Sequence, residues 1–462
     1  MTMAKRSCLA IILAAGEGTR MKSALPKVLH PIGGLPMLGH VLKAAADGGA
    51  ARTVVVVGPG AEAVGVFVEK TAPGVTIHVQ AERFGTAHAV LAAEAAISEA
   101  IGAGEADDVL VLYADTPLVT AATIQRVRAV LDEGSDLVFP GFRPANPTGY
   151  GRLIVNKGRV TAIREERDAT DEERKVGYCW PGIAAFKGKT LLPLLKQIGN
   201  DNAKREYYLT DAVDLANRSG QSVGTVEVDA NEVVGVNDRL QLAHAEGVFQ
   251  RAMRETAMEN GATMTAPSTV WFSYDTEIGK DVTLEPNVFF GPGVKVADGV
   301  TIRANCHIEG ASIGKGAIVG PFARLRRGTV IGANAHVGNF VEVKNAEIGD
   351  GAKANHLAYI GDAQVGPATN IGAGTITANY DGFEKHRTDI GAGVSIGSNA
   401  VLVAPVKIGD GANVAAGSVI TSDVPADALA VARGRQEVKP GWAKKYREHK
   451  ALKRNPIERK SS

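Results

Sequence analysis

Hydrophobic residues fall into two different rhythms along this chain. From Leu9 to about Val228, short aliphatic runs alternate with segments of helical period, and Leu9–Leu13, Thr53–Val57, Val109–Tyr113 and Leu137–Phe139 read as strands. Such alternation predicts an α/β domain with a mainly parallel sheet. Between Asn237 and Glu259, Leu240, Ala243, Val248, Ala252 and Met253 are spaced among charges, and Gly261 follows; this reads as a connecting helix with a glycine stop. After Thr276 the texture becomes glycine-rich, with an aliphatic residue at nearly every sixth position: Ile278, Leu284, Phe290, Val296, Ile302 and Ile308, then Ile313 to Val343, and on to Ile420. Four residues after most of these stands a small or β-branched residue such as Val282, Ala317, Thr329, Ala335 or Ala412. That is the hexapeptide pattern of a parallel β-helix, with both positions turned inward; disorder has no reason to keep such a phase. The predicted organisation is residues 1–236 as an α/β nucleotide-type domain, 237–262 as a helical linker and 263–462 as the β-helix with a basic tail.

Charge narrows the partners. The 462 residues carry 51 Lys and Arg against 50 Asp and Glu, a net of +1, which argues against nucleic-acid binding and leaves local charges to meet any anionic substrate. Cys8, Cys179 and Cys306 are widely separated and lack C-x-x-C spacing, so neither a disulfide scaffold nor a zinc site is expected, and a reducing cytoplasm fits. The apolar run from Cys8 to Ala15 is short for a signal core and leads into a charged glycine loop. No stretch approaches the ~18 apolar residues of a membrane helix.

The first candidate site follows the first strand: Leu13-Ala14-Ala15-Gly16-Glu17-Gly18-Thr19-Arg20-Met21, then Leu25-Pro26-Lys27. Glycines let backbone N–H groups approach phosphates, and Arg20 and Lys27 can neutralise a leaving pyrophosphate. A glycine loop alone is more often a tight turn; the added Arg20 and Pro26-Lys27 make the set specific. It matches neither a Walker loop nor a dinucleotide fingerprint. It is similar to the signature of sugar-1-phosphate nucleotidylyltransferases, and with the β-helix the chain resembles the bifunctional enzymes that acetylate glucosamine-1-phosphate and couple the product to UTP, for bacterial envelope synthesis.

That resemblance implies that Gln80, Gly85 and Thr86 read uracil, that Tyr113-Ala114-Asp115 and Asn237 belong to the nucleotide pocket with Asp115 and Asn237 holding Mg²⁺, and that Gly149, Glu165 and Trp180 face the sugar. Trp180 stands where the family has asparagine, Ala114 where it has glycine, and Arg83 where it has glutamine.

In the second half, three hexapeptides per coil would place Arg326 and Lys344 one strand spacing apart, ~4.8 Å. Two cations that close call for an anion between or beside them, which favours a phosphate site over a solvated face. His356, off the interior phase at a corner, gathers with Tyr359, Asn379 and Tyr380 at the same edge. By the resemblance, His356 is the general base of acetyl transfer; Arg326, Lys344, Tyr359 and Asn370 bind glucosamine-1-phosphate; and Ala373, Asn379, Tyr380, Ser398, Ala416 and Arg433 line the acetyl-CoA groove of a left-handed, homotrimeric β-helix. The interrupting stretch Ala378–Asp389, with Lys385, His386 and Arg387, reads as a loop over the site or an ordinary surface loop. Cys306 is at an inward phase. Two narrower readings stand beside the bifunctional one: a uridylyltransferase whose β-helix serves only assembly, and an acetyltransferase whose first half only binds.

Overall fold

The computed structural model describes residues 6–454; Lys5 and residues 455–462 of the basic tail lie outside the described residues. The chain forms two compact units, one of residues up to Asn260 with Trp271–Thr276 and Phe290–Pro292, the other of the remainder.

The first unit is built on a seven-stranded sheet ordered Val223–Gly224, Leu137–Val138, Ala184–Lys187, Asp108–Tyr113, Cys8–Ala14, Arg52–Val57, Thr76–Val79. All pairs are parallel except those made by Ala184–Lys187. Cys8–Ala14 is apolar throughout because both its faces are covered. Leu9 and Ile11 join one core cluster with Val54, Val56, Val109 and Val111, while Ala10 and Ile12 join the other with Val55, Leu110 and Leu112. A three-stranded antiparallel sheet of Gly151–Asn156, Arg159–Arg164 and Cys179–Trp180 accompanies it. The order matters for the site. The first strand pairs with Arg52–Val57 on one side and Asp108–Tyr113 on the other, so the chain leaves it in opposite directions and a crevice opens at the carboxyl ends.

The helix after Asn237 spans Arg239–Glu259, with Asp238 as its cap: the carboxylate accepts from Gln241 N at 2.8 Å. It packs within the first unit, where Ala245 meets Ile32, Met37 and Val236. Gln250 seals this by accepting from Phe272 N at 2.8 Å and donating to Phe272 O at 2.6 Å.

The second unit is a parallel β-helix with three faces, of ten, eight and eight short strands. The expected phases hold: Leu284, Ile302, Val343 and Leu402, and the residues two before an inward aliphatic position such as Val282, Ala335, Ala400 and Ala412, are fully buried. Cys306 is buried as its phase requires. The register places Leu325 beside Val343 and Val343 beside Ile360 on the third face.

Candidate functional site

In the first unit, residues far apart in sequence meet at the crevice. Lys27 Nζ is paired with the Asp115 carboxylate and donates to Asn237 Oδ1 at 3.3 Å, and Arg20 Nη2 donates to the same oxygen at 2.9 Å. Gly18 has φ +65° and a Cβ on it would stand 2.6 Å from Lys27 Cβ, so glycine there admits Lys27 to the cluster. Beside it lies a cavity of about 250 Å³ lined by Leu13, Ala15, Gly16, Gln80, Arg83, Gly85, Thr86, Ala89, Tyr113, Asp115 and Glu206.

Gln80 is locked by donating to Gly85 O at 3.1 Å, and Gly85, at φ +108°, leaves room for the Tyr207 backbone that a side chain would strike at 2.6 Å. Burial pushes the Tyr113 phenol up, and likewise the Glu165 carboxyl, which accepts from Thr210 Oγ1 at 3.2 Å. Ala14 and Ala114 are buried behind the cavity wall, while Gly149 and Glu165 do not line it.

In the second unit, Arg326, Lys344 and Tyr359 lie on successive coils of the third face, and Asn379-Tyr380 follow the next strand, Ile376–Ala378. The protein supplies counter-charges of its own to the two cations: Arg326 Nη1 is 2.9 Å from Glu342 and Lys344 Nζ 3.4 Å from Asp362. Asp362 also accepts from Asn345 Nδ2 at 2.6 Å and from Asn379 Nδ2. Burial alone would push its carboxyl up, but these hydrogen bonds and Lys344 hold it below the usual range.

The stretch after Ala378 is a small hairpin, with Tyr380 bridged to Lys385 and Asp381 accepting from Phe383 N, Glu384 N and His386 Nε2. It brings Lys385 against Lys344. Two ammoniums this close compete for their protons: Lys344, beside Lys385 and facing Asp362, holds its own more tightly than usual, and Lys385, beside Lys344 and near Arg326, more weakly.

His356 ends the strand Lys353–His356 with its ring exposed. Its Nδ1 is 2.8 Å from Asn339 Oδ1 on the preceding coil. A carbonyl oxygen only accepts, so Nδ1 is the donor here, and in the neutral ring Nε2 is the nitrogen left with a lone pair. Along this edge, His356, Ala373 and Ser398 each give their carbonyl to the residue after their counterpart one coil on: Gly374, Asn399 and Gly417. Ala416 thus continues the column, and its carbonyl accepts from Arg433 Nη1 at 2.9 Å. Asn370 is exposed on the adjoining face, opposite Lys353 in the strand next to that of His356.

Residues 10–177 match the MobA-like NTP transferase domain, and 275–310, 310–345 and 387–422 match the bacterial transferase hexapeptide. The chain is 56% identical to a bifunctional protein GlmU of Azorhizobium caulinodans over 96% of this chain and 97% of the relative. A bifunctional protein GlmU of Agrobacterium fabrum is 53% identical over 99% of this chain and 100% of the relative. The chain belongs to the GlmU family. Its β-helix is accordingly of the left-handed hexapeptide kind, and both halves are transferase domains of GlmU type.

Trp180, like Gly149 and Glu165 expected to face the sugar, is not among the residues lining the cavity. It is buried, its indole N–H donates to Ile183 O at 2.7 Å, and its ring stands edge-on to Tyr113 with centroids 5.8 Å apart. It supports the Tyr113 wall from behind. Sequence reasoning missed Asn339, Glu342 and Asp362; only a step of one coil, 17 residues back from His356, 16 on from Arg326 and 18 on from Lys344, could have found them.

Proposed function

We propose that the chain makes UDP-N-acetylglucosamine in two steps, one on each unit. On the β-helix, glucosamine-1-phosphate binds with its phosphate toward Arg326, Lys344 and Lys385, with Tyr359 and Asn370 around the sugar. His356 Nε2 takes a proton from the amine as its nitrogen forms a bond to the thioester carbonyl of acetyl-CoA, and the C–S bond breaks to release coenzyme A. Asn339 fixes the tautomer that leaves Nε2 free to accept. Ala373, Ser398 and Ala416 offer a column of small side chains along which the acetyl-CoA chain can lie, with Asn379, Tyr380 and Arg433 at its borders.

On the first unit, a phosphate oxygen of N-acetylglucosamine-1-phosphate attacks the α-phosphorus of UTP and pyrophosphate leaves. Gln80, Gly85 and Thr86 face the base, the loop Leu13–Gly16 the phosphates, and Arg20 and Lys27 neutralise the charge that grows on the leaving group. Asp115 and Asn237 are the residues that would hold Mg²⁺: their oxygens already share one cation, the Lys27 ammonium, and two protein oxygens plus phosphates suit this ion. When bound, it supplies further positive charge to the phosphates. Gly149 and Glu165 serve the sugar from outside the cavity.

The observation that supports this reading is that each unit carries a cation cluster of its own, Arg20 and Lys27 with Asp115 and Asn237 in the first, Arg326 and Lys344 with Glu342 and Asp362 in the second. Hexapeptide repeats also suggest oligomerisation, and we take the assembly to be a homotrimer through the β-helix, working in the cytoplasm. In support of the latter, among the described residues no helix is long and apolar enough to cross a membrane and all three cysteines are free. Two assays on the purified protein test the function: coenzyme A release from acetyl-CoA with glucosamine-1-phosphate, and pyrophosphate release from UTP with N-acetylglucosamine-1-phosphate. Absence of either would remove that half. Sedimentation at any mass other than three chains would remove the trimer.

A further inference from the structure

Arg83 stands in the turn between the strand Thr76–Val79 and the helix Thr86–Leu91, three residues after Gln80. Its side chain crosses to the glycine loop, where Nε donates to Ala15 O at 3.0 Å and Nη1 is ion-paired with Glu17. Gly58, just past the strand Arg52–Val57, leaves the space: a Cβ there would lie 2.8 Å from Arg83 Nη2. The same side chain lines the 250 Å³ cavity together with Gly16, Gln80 and Asp115.

The pair is open to water, with Arg83 41% and Glu17 58% exposed, and ion pairs that exposed contribute little to folding. Its placement is better explained by charge. A guanidinium is held at the wall of the nucleotide cavity, and its partner carboxylate is carried by the loop that would receive the phosphates. A triphosphate entering there repels Glu17 and offers Arg83 paired oxygens in the geometry its fork prefers, so it should displace the carboxylate.

We propose that Arg83 is a third phosphate-binding cation of the uridylyl site, beside Arg20 and Lys27, and that Glu17 holds it in readiness until the phosphates of UTP take the carboxylate's place. This rests on reading the cavity as a UTP site.

The test uses the full chain and compares wild type with Arg83→Gln, Arg83→Lys and Glu17→Gln for pyrophosphate release, with UTP binding followed by calorimetry. Arg83→Gln should raise KM for UTP by ~10-fold or more, the scale of a lost hydrogen bond to a charged group, with KM for N-acetylglucosamine-1-phosphate little moved. Arg83→Lys should recover only part of the loss, because an ammonium is a point charge. Glu17→Gln should act in the opposite direction and lower KM for UTP by ~2- to 5-fold, since it removes the competitor. A loop brace predicts instead that Glu17→Gln weakens UTP as Arg83→Gln does, and that result, or unchanged UTP affinity in either variant, overturns the proposal. A wild type that neither binds nor turns over UTP sinks the reading of the cavity itself, whereas normal wild-type turnover with unresponsive variants sinks Arg83 alone.

Discussion

The two units gather cations and polar groups into a cluster by opposite means. In the first, Arg20, Lys27, Asp115 and Asn237 come from points up to 217 residues apart and are held by one another. In the second, the strand register sets the spacing: it pairs residues 17 or 18 apart on adjacent coils, and Asn339, Glu342 and Asp362 each reach a site residue from the neighbouring coil. A site that holds itself together should fail as a unit. One written along a regular lattice should lose members singly.

The largest expected effect is a clean division of labour. A chain ending at Thr276 keeps the Gln250–Phe272 bonds and should retain uridylyl transfer within ~3-fold, while losing acetyl transfer and sedimenting as a monomer. A folded fragment that is still trimeric would break the comparison. Next, Asp115→Ala removes the anion shared with Lys27, and the loss should spread through the cluster: pyrophosphate release falls ~10³-fold, with acetyl transfer unmoved. Near wild-type UTP turnover would show that the cluster is not the reacting centre.

His356→Ala should lower kcat for acetyl transfer by ~10²-fold and spare uridylyl transfer. Asn339→Ala should cost less, ~10-fold, because the wrong tautomer can still interconvert. Normal kcat with only weakened sugar binding in the His356 variant would demote it to a contact residue.

The smallest effects are on stability, and their signs are opposed. Burial, with Asp214 and Asp168 nearby, raises Asp211 in the first unit to about 6. Its folded form therefore holds the proton more tightly than the unfolded chain, so its contribution falls as pH rises from ~4 to ~6 and stays low above that. Asp211→Asn should stabilise the protein at pH 7 by on the order of 1 kcal/mol after screening, and hardly at pH 4. Asp362 in the β-helix is depressed, so its contribution is present above the ordinary carboxylate range and lost as pH falls through its folded value. Asp362→Asn should therefore destabilise at pH 7 and do little in strong acid. Thermal melts of both variants across pH 3 to 7 check the two signs.

The same contrast explains what was legible in the sequence. The β-helix interior could be read almost residue by residue, because a six-residue period leaves each aliphatic position one possible direction. In the first unit the central strands were readable from their apolar runs, and extend one residue beyond the expectation at Cys8, Arg52 and Asp108. The edge strand Thr76–Val79 was not, since Thr76, Ile77 and Val79 are exposed and carry no burial signal. The loop motifs located Arg20, Lys27 and Asp115 because glycine and proline mark them. Side-chain direction was beyond reach: Trp180 occupies a family position yet turns into the core, where a large apolar ring gains more from Tyr113 and Phe139 than from a polar sugar. The Arg326 and Lys344 ladder was foreseen, but not that Glu342 and Asp362 accompany it, because a carboxylate one coil away has no local motif.

The hairpin between Ala378 and Thr388 has a consequence for how such a chain can change over generations. Ile376–Ala378 still pairs with Val401–Val403, and Thr388–Ile390 with Ala363–Val365, so the extra residues are absorbed at a corner without disturbing either neighbour. A single residue gained within a strand would instead turn every later side chain on that coil inside out. Corners are thus where this lattice can tolerate an insertion, and a corner is also where His356 and Lys385 stand. An insertion at such a corner can therefore add or remove side chains beside these residues while the strands on either side keep their pairing.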